Sequence, residues 1–320
     1  HKVIVIGAGP GGICAAAKLI EAGIDDIVIL EKSGGVGGTW NLNRYPGAEC
    51  DIQSHLYCFS FEPNPSWSRP YAGQPEILAY LEHCADEYGV TPLCRFNAEV
   101  ASAQWDEARH VWRVHCADDS LFEAPLLIGA VGMFCALNLP DIPGLAEFPG
   151  PAFHSARWDE SFDAAGKRVA VIGSAASAVQ LIPEVAKVAA RLDVYQRSPN
   201  WVLPKADQPY SAEAIAQFEA DPEKVRALRQ QIFDAADAYR GSMVAAGPDQ
   251  GKGAQDAALQ NIAAINDPAL RAKMVPDYPV GCRRVLLSND YYPTFNRDNV
   301  ELITDRIARI DGNAIVTVEG

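Results

Sequence analysis

At 320 residues, with hydrophobic side chains making up 48% of them, the chain is long enough to bury about two domain-sized cores. The formal net charge of -14, from 27 basic against 41 acidic residues, argues against a nucleic-acid or anionic-membrane partner, because both attract positive charge. The eight cysteines form no CxxC pair and no cysteine-histidine cluster at zinc spacing, so no metal site is expected, and reduced thiols in a cytoplasmic protein are.

The longest apolar stretches fall well short of a membrane span, and the chain enters a strand at once with no signal-type segment. An opening His1 in place of an initiator methionine suggests trimmed ends. Residues 2–7 (KVIVIG) read as a short strand, followed by glycines and an alanine-rich helix to about Ala22. A second strand, IVILE at 27–31, completes the start of a parallel βαβ unit. Between 33 and 75 the chain is rich in Gly, Pro, Asn and aromatic residues and is too long for an idle connection, so it is expected to wrap a ligand. An amphipathic helix over 76–88 and alternating strands over 96–131 follow, and the Pro-rich stretch 139–151 marks a boundary.

Beyond that boundary the opening pattern repeats. KRVAVIG (167–173), a small-residue turn, a helix through about Ala189 and the strand LDVYQR (192–197) duplicate the first strand-turn-helix-strand. Residues 211–275 have helical periodicity and predict a helical insert, and the strands VELIT (300–304) and AIVTV (314–318) close the chain. A sheet ending there would lack its last layer, so a fragment of a longer protein is expected. The fold class is α/β, with two Rossmann-like, three-layer dinucleotide-binding domains and a helical insert in the second.

Gly7, Gly9 and Gly12 in GAGPGG sit where a strand turns into a helix, the context that gives GxGxxG its meaning. The first glycine permits the turn, the second lets a pyrophosphate approach, the third packs helix on strand, and the helix N-terminus stabilises the anion. Glu31 follows Gly7 by 24 residues (31 - 7) and is placed to accept hydrogen bonds from ribose hydroxyls. Its charge would repel a 2'-phosphate, so this site suits FAD or NAD. The second copy reads Gly173, Ser174, Ala175, Ala176, Ser177, Ala178, Val179, a degraded pattern in which alanine replaces two of three glycines. Arg197 follows Gly173 by the same 24 residues (197 - 173), so a cation with Ser198 beside it stands where the first copy has an anion. That reversal selects NADP, whose 2'-phosphate takes charge-assisted hydrogen bonds; a solvated surface arginine is the alternative.

FPGPAFHSARWD, with Phe148, Gly150, His154, Trp158 and Asp159, fits the pattern FxGxxxHxxxW[P/D], and it lies between the two nucleotide motifs. With GGVGGTWNLNRYPGAECD (34–51), SHLYCFSF (54–61) and YPVGCRRVLLSNDYYPTFN (278–296) in the expected order, nearly the whole chain resembles the Baeyer-Villiger monooxygenases, truncated at the C-terminus. The resemblance implies an NADPH- and FAD-dependent enzyme that converts a ketone and O2 to an ester or lactone through a C4a-peroxyflavin. It implies that Gly7, Gly9, Gly11, Gly12 and Glu31 hold the FAD adenosine and pyrophosphate, with Val100 near the adenine. Gly38, Thr39, Trp40, Asp51 and Tyr57 would line the flavin. Residues 173–179 would hold the NADP pyrophosphate, and Arg197, Ser198 and Arg283 its 2'-phosphate. Arg283 stands where the family usually has lysine, so charge is kept and geometry changes.

Arg284 matches the family's active-site arginine, whose fixed charge would stabilise an anionic peroxide and the adduct that follows, with Asp51 orienting it. His154 and Trp158 are expected to be structural. The implied domains are 1–140 for FAD, 141–160 as a linker carrying the fingerprint, 161–299 for NADP with the insert 211–275, and 300–320 as an incomplete return to the FAD domain. Three other readings share part of this pattern. A flavin monooxygenase acting on nitrogen or sulfur shares both nucleotide sites but needs neither Trp158 nor Arg284. A disulfide reductase needs the CxxC that is absent. A catalytically inert dinucleotide-binding fragment remains open.

Overall fold

The computed structural model of the protein describes residues 1–134, 136–244 and 251–320, so Cys135 and, within the expected insert, residues 245–250 lie outside the described residues. Contacts divide the chain into two compact units: His1–Arg44, Phe59–Glu62 and Gln74–Asn138 in the first, Tyr45–Cys58, Pro63–Gly73 and Leu139–Gly320 in the second.

In the first unit Val3–Ile6 (β1) and Ile27–Leu30 (β2) are unbroken aliphatic runs, the composition of strands covered on both faces, and they pair in parallel across Pro10–Glu21 (α1). The long connection that follows holds only the short helix Thr39–Leu42 (α2) before Gln74–Glu87 (α3). Cys94–Arg95 (β3) then joins β2. Val100–Asp106 (β4), Val111–Cys116 (β5) and Leu121–Ala124 (β6) form an antiparallel sheet, and Leu126–Gly129 (β7) returns to β1, giving the parallel order β3-β2-β1-β7. Because strand side chains alternate, Ile4, Ile6, Val28 and Leu30 leave one face together and pack on Val114, Cys116 and Ala124 of the antiparallel sheet. Helix α1 packs on β1 and on α3, so helices, parallel sheet and antiparallel sheet make three layers.

The second unit repeats the plan with Arg168–Ile172 (β8), Ala176–Val188 (α4) and Arg191–Tyr195 (β9). After Val202–Leu203 (β10) the expected helical stretch carries Ala212–Ala220 (α5), Pro222–Val244 (α6), Lys252–Ile262 (α7) and Pro268–Lys273 (α8). Leu286–Leu287 (β11) pairs in parallel with β10, Tyr291–Thr294 (α9) follows, and Val300–Ile303 (β12) completes the sheet β12-β9-β8. Ile307–Asp311 (β13) and Ala314–Thr317 (β14) form a hairpin. One core joins Val179, Ile182 and Val185 of α4 to Leu192, Val194 and Leu302 of the sheet and to Ile262, Ile265 and Met274. Among the described residues no helix is long and apolar enough to cross a membrane.

The boundaries differ from the sequence reading in two places. Residues 300–320 belong to the second unit instead of returning to the first, because β12 pairs with β9 and the Ile310 amide donates to Pro143 O at 2.7 Å. Residues 45–58 and 63–73 belong to it as well: the Tyr45 hydroxyl donates to Gln180 at 2.8 Å and the Cys50 amide to Ala72 O at 3.2 Å.

The two copies also differ in register. Val3 pairs with Ile27, an offset of 24 (27 - 3), whereas Arg168 pairs with Arg191, an offset of 23 (191 - 168). The Gly7 amide donates to Leu30 O and the Gly173 amide to Tyr195 O, so the residue matching Glu31 is Gln196, not Arg197. Arg197 lies one step further along, exposed, while Gln196 is buried.

The first turn is the tighter one. A Cβ on Gly7 would meet Ala130 O at 2.5 Å and one on Gly12 would meet Gly7 O at 1.9 Å, whereas Gly173 has open space and Ala178 occupies the place of Gly12. Gly12→Ala is therefore expected to cost about 1–3 kcal/mol by overpacking. Ala178→Gly should lose roughly 1 kcal/mol of helix propensity together with the small contact its methyl makes with the second core. Thermal unfolding of both variants checks the order, and equal or reversed losses would contradict it.

Candidate functional site

The first nucleotide motif lies at the carboxyl ends of β1 and β2, where open α/β sheets bind ligands. Helix α1 begins with Gly9 as cap and Pro10 in its first turn, with no side-chain cap and no acidic residue there. Its first amide to bond back is that of Ile13, to Gly9 O at 3.0 Å, so the amides of Gly11 and Gly12 are available to an anion. Gly38 approaches Gly9 so closely that a Cβ on it would lie 2.8 Å from Gly9 Cα. Thr39 opens α2, and Trp40 is buried with its carbonyl accepting from Gln74 Nε2 at 2.5 Å. Val100 opens β4 and packs half-buried against the first core.

Glu31 is buried, and its carboxylate is held from both sides. Oε2 accepts from the Ala8 amide at 2.8 Å, and Oε1 from the Ser33 amide at 2.8 Å and hydroxyl at 2.7 Å. A carboxylate offers about four acceptor positions, so at least one remains for a ligand hydroxyl.

In the second unit α4 likewise starts without a side-chain cap or an early acid, at Ala175, with Ala176, Ser177 and Ala178 in its first turn. Ser174 Oγ donates to Ser198 O at 3.2 Å, tying the turn to the end of β9. Arg283 Nη1 donates to Ser198 Oγ at 2.9 Å, and its guanidinium lies 4.4 Å over the Tyr278 ring, whose hydroxyl donates to Pro199 O at 2.9 Å. Ser198 and Arg283, 85 residues apart, thus meet, with the exposed Arg197 next along the chain. Tyr278, the platform that orients Arg283, carried no signal in the sequence beyond its place in a family segment.

Asp51 and Arg284 meet directly: Nη2 donates to Oδ2 at 3.0 Å, with the Asp51 side chain 13% exposed and that of Arg284 61% exposed. Burial raises the Asp51 carboxyl above its ordinary value, and the charges of Arg284 and then Lys205 offset that rise only in part. Gln180, on α4, donates from Nε2 to Glu49 O at 2.9 Å and to Asp51 Oδ1 at 3.5 Å, while its Oε1 accepts from the Tyr45 hydroxyl. The Lys205 side chain is buried and pairs with Glu49 and, at 3.4 Å, with Asp207, which also takes Arg69 at 3.4 Å and the Tyr71 amide at 3.1 Å. The sequence reading found Asp51 and Arg284 but not Gln180, Lys205, Glu49 or Asp207, since no spacing rule joins residues 156 positions apart.

Tyr57 is half-buried in the turn 53–58, and that turn is gripped by the insert. Arg229 of α6 donates from Nη1 to the carbonyls of His55, Leu56 and Cys58 at 3.0–3.1 Å. His55 itself is fully buried beside Tyr210 and Phe218, and burial lowers its pKa to about 4, keeping it neutral. The fingerprint residues have structural partners. His154 Nδ1 accepts from the Ala156 amide at 3.0 Å, Trp158 packs edge-on to Phe153 at 4.9 Å, and Asp159 Oδ1 caps Ser161. A Cβ on Gly150 would meet the Phe148 ring at 2.8 Å, so these two positions are coupled by contact.

Residues 4–232 match the family model described as pyridine nucleotide-disulphide oxidoreductase. Over 320 residues the chain is 43% identical to a Baeyer-Villiger monooxygenase of Streptomyces coelicolor, covering 100% of this chain and 61% of that protein. It is similar to the crystal structure of cyclohexanone monooxygenase from Rhodococcus sp. Phi1 bound to NADP+, with TM-score 0.89 and 33% identity over 100% of this chain and 68% of that one. It is also similar to an OTEMO complex with FAD and NADP, with TM-score 0.88 and 30% identity over 100% and 69% of the two chains. The chain spans about 60% of the length of the curated relatives it matches. With two nucleotide motifs, no CxxC pair and relatives of this kind, the chain belongs to the Baeyer-Villiger monooxygenase family.

Proposed function

We propose that this chain is the dinucleotide-binding body of an FAD- and NADPH-dependent monooxygenase that converts a ketone to an ester or lactone. The observation that carries this reading is the Asp51–Arg284 pair, an exposed guanidinium held by a carboxylate that is largely shielded from solvent. Residues of the first unit fit FAD: the uncapped α1 N-terminus suits a pyrophosphate, the Gly9–Gly38 approach leaves room that side chains would fill, and Glu31 keeps acceptor capacity. Residues of the second unit fit NADP. Arg283 and Arg197 beside Ser198 supply charge and a hydroxyl for a 2'-phosphate, and the α4 N-terminus receives the pyrophosphate. The domain reading that follows assigns FAD to the first unit and NADP with the helical insert to the second. Relatives solved with FAD and NADP support it.

Bound FAD supplies oxygen activation, and bound NADPH supplies the hydride. The chain's own residues do the rest. Arg284 presents its positive charge to an oxygen that becomes anionic as a ketone carbonyl is attacked. Asp51 fixes the direction of that guanidinium, and Gln180 fixes Asp51. The free cysteines and the NADPH requirement agree with a cytoplasmic setting.

Two outcomes are expected. Arg197→Ala and Arg283→Ala should each raise KM for NADPH about tenfold, the worth of a charge-assisted hydrogen bond, and leave the poorer use of NADH unchanged. Steady-state kinetics with both nucleotides decide this, and equal losses with both would remove the 2'-phosphate assignment. In the full-length protein, oxygen-18 gas, NADPH and a panel of cyclic, linear and aryl ketones with one sulfide should give labelled ester or lactone. Arg284→Ala should lower that yield at least about a hundredfold. Labelled sulfoxide alone would replace the ketone reading with heteroatom oxygenation.

A further inference from the structure

The buried charges behind Asp51 are arranged around one lysine that the reaction itself does not need. The Lys205 side chain is 8% exposed, and its ammonium lies between the carboxylates of Glu49 and Asp207, whose side chains are 21% and 7% exposed. Its backbone is fixed as well. The Lys205 amide donates to Asn289 Oδ1 at 3.0 Å and Asn289 Nδ2 donates back to Lys205 O at 2.9 Å, so the stem starts from a set point beside the β10–β11 pair. Tyr71, whose amide is bound to Asp207, lies under the ammonium at 5.4 Å. Glu49 stands two residues before Asp51, bridges to Gly73, and accepts through its carbonyl the same Gln180 amide that reaches Asp51.

We propose that Lys205 is a positioning residue for Arg284: by holding Glu49 it sets the loop 49–51, and through that loop the direction from which Asp51 grips the guanidinium. The inference rests on the monooxygenase reading for its kinetic consequence but not for its electrostatic one. Burying a long flexible cation costs desolvation and rotamer entropy, and the arrangement persists because the ammonium meets two carboxylates together with the aromatic face. A lysine that only filled space would need no such partners.

The charge has a second effect on the same loop. Asp51 faces Arg284, Lys205, Glu49, Cys50, Tyr45 and Tyr71 together with the neutral Gln180, and Glu49 faces Lys205, Asp207 and Asp51. Burial raises both carboxyls, and Lys205 lowers both. An acid whose folded value is raised holds its proton more readily in the folded chain. Its stability contribution is therefore greatest below the unfolded value and declines as pH rises through the folded one. Removing Lys205 raises both folded values further and deepens that decline.

The test uses the full-length protein with Lys205→Met, Lys205→Arg and Glu49→Gln. K205M should lower kcat between about tenfold and a hundredfold with little change in KM for NADPH, because a misdirected catalytic group costs rate. Its acid limb should move up by about one pH unit. K205R should recover most of both, and E49Q, which breaks the same hold on the loop and removes a neighbouring anion, should lower kcat as K205M does while moving the limb downward. In the flavin-free protein the Tm deficit of K205M should widen by about 3 °C between about pH 5 and 8. A deficit constant across pH together with an unmoved limb would make Lys205 merely structural and overturn the proposal. If K205M does not fold, E49Q decides alone, and an unchanged kcat or an unmoved or raised limb overturns it. Failure of the monooxygenase reading is separate: the unaltered protein would oxygenate no ketone, and the Tm comparison would still judge the coupling.

Discussion

A carboxylate taken out of water must be matched by donors or cations, or it will take up a proton, and this constraint organises both units of the chain. Glu31 in the first unit is matched by two backbone amides and a hydroxyl, which hold the end of β2 against the turn that follows β1. In the second unit Glu49, Asp51 and Asp207 are matched by Lys205, Arg284 and Arg69, three anions against three cations. The two solutions differ in consequence. Amides are fixed by the fold and leave Glu31 with acceptor capacity for a neutral hydroxyl, whereas side-chain cations arrive from distant segments and so pin those segments together.

The duplicated strand-turn-helix illustrates how one backbone plan is adapted to two ligands. At the first turn the backbone of residues 7–12 closes so tightly that only glycine fits at two positions, and Ala130 of the strand-end region fills the space behind it. At the second the turn is open and alanine is tolerated. A one-residue difference in register then places a buried Gln196 where the first copy has Glu31 and pushes Arg197 out to the surface. The cation stands beyond the strand end instead of at it, next to Ser198, which Arg283 approaches from a separate segment. An equal sequence interval is therefore not an equal position, because the helix-to-strand connection absorbs the missing residue.

Much of the fold was legible. Unbroken aliphatic runs marked β1, β2 and β8, helical periodicity marked the insert, and glycine spacing marked the turns, since each of these signals is local. The strand pairs β10–β11 and β3 were not legible, because two-residue strands have no periodicity and exist only through their partners. The pairing of residues 300–303 with β9 was not legible for the same reason: the pattern VELI announces a strand but not which edge it joins. Within the site, Asp51, Arg284, Ser198 and Arg283 came from motif and resemblance. Lys205 and Gln180 came only from three-dimensional contact, as an ordinary surface-type lysine and a helical glutamine in the sequence.

That difference bears on what makes the exposed arginine useful. An ion pair at a surface is worth little, because two long side chains lose freedom to hold one geometry in a strongly screening medium. Arg284 is mostly exposed, so its pairing with Asp51 would be of this weak kind if Asp51 were equally free. Asp51 is instead largely shielded from solvent and held by Gln180, in a loop anchored through Glu49 to a lysine that is itself fixed by Asn289. The entropy of orientation is then met on the buried side of the pair during folding, and only the guanidinium end remains to be ordered at the surface. An arginine directed in this way can face solvent and a ligand without losing direction.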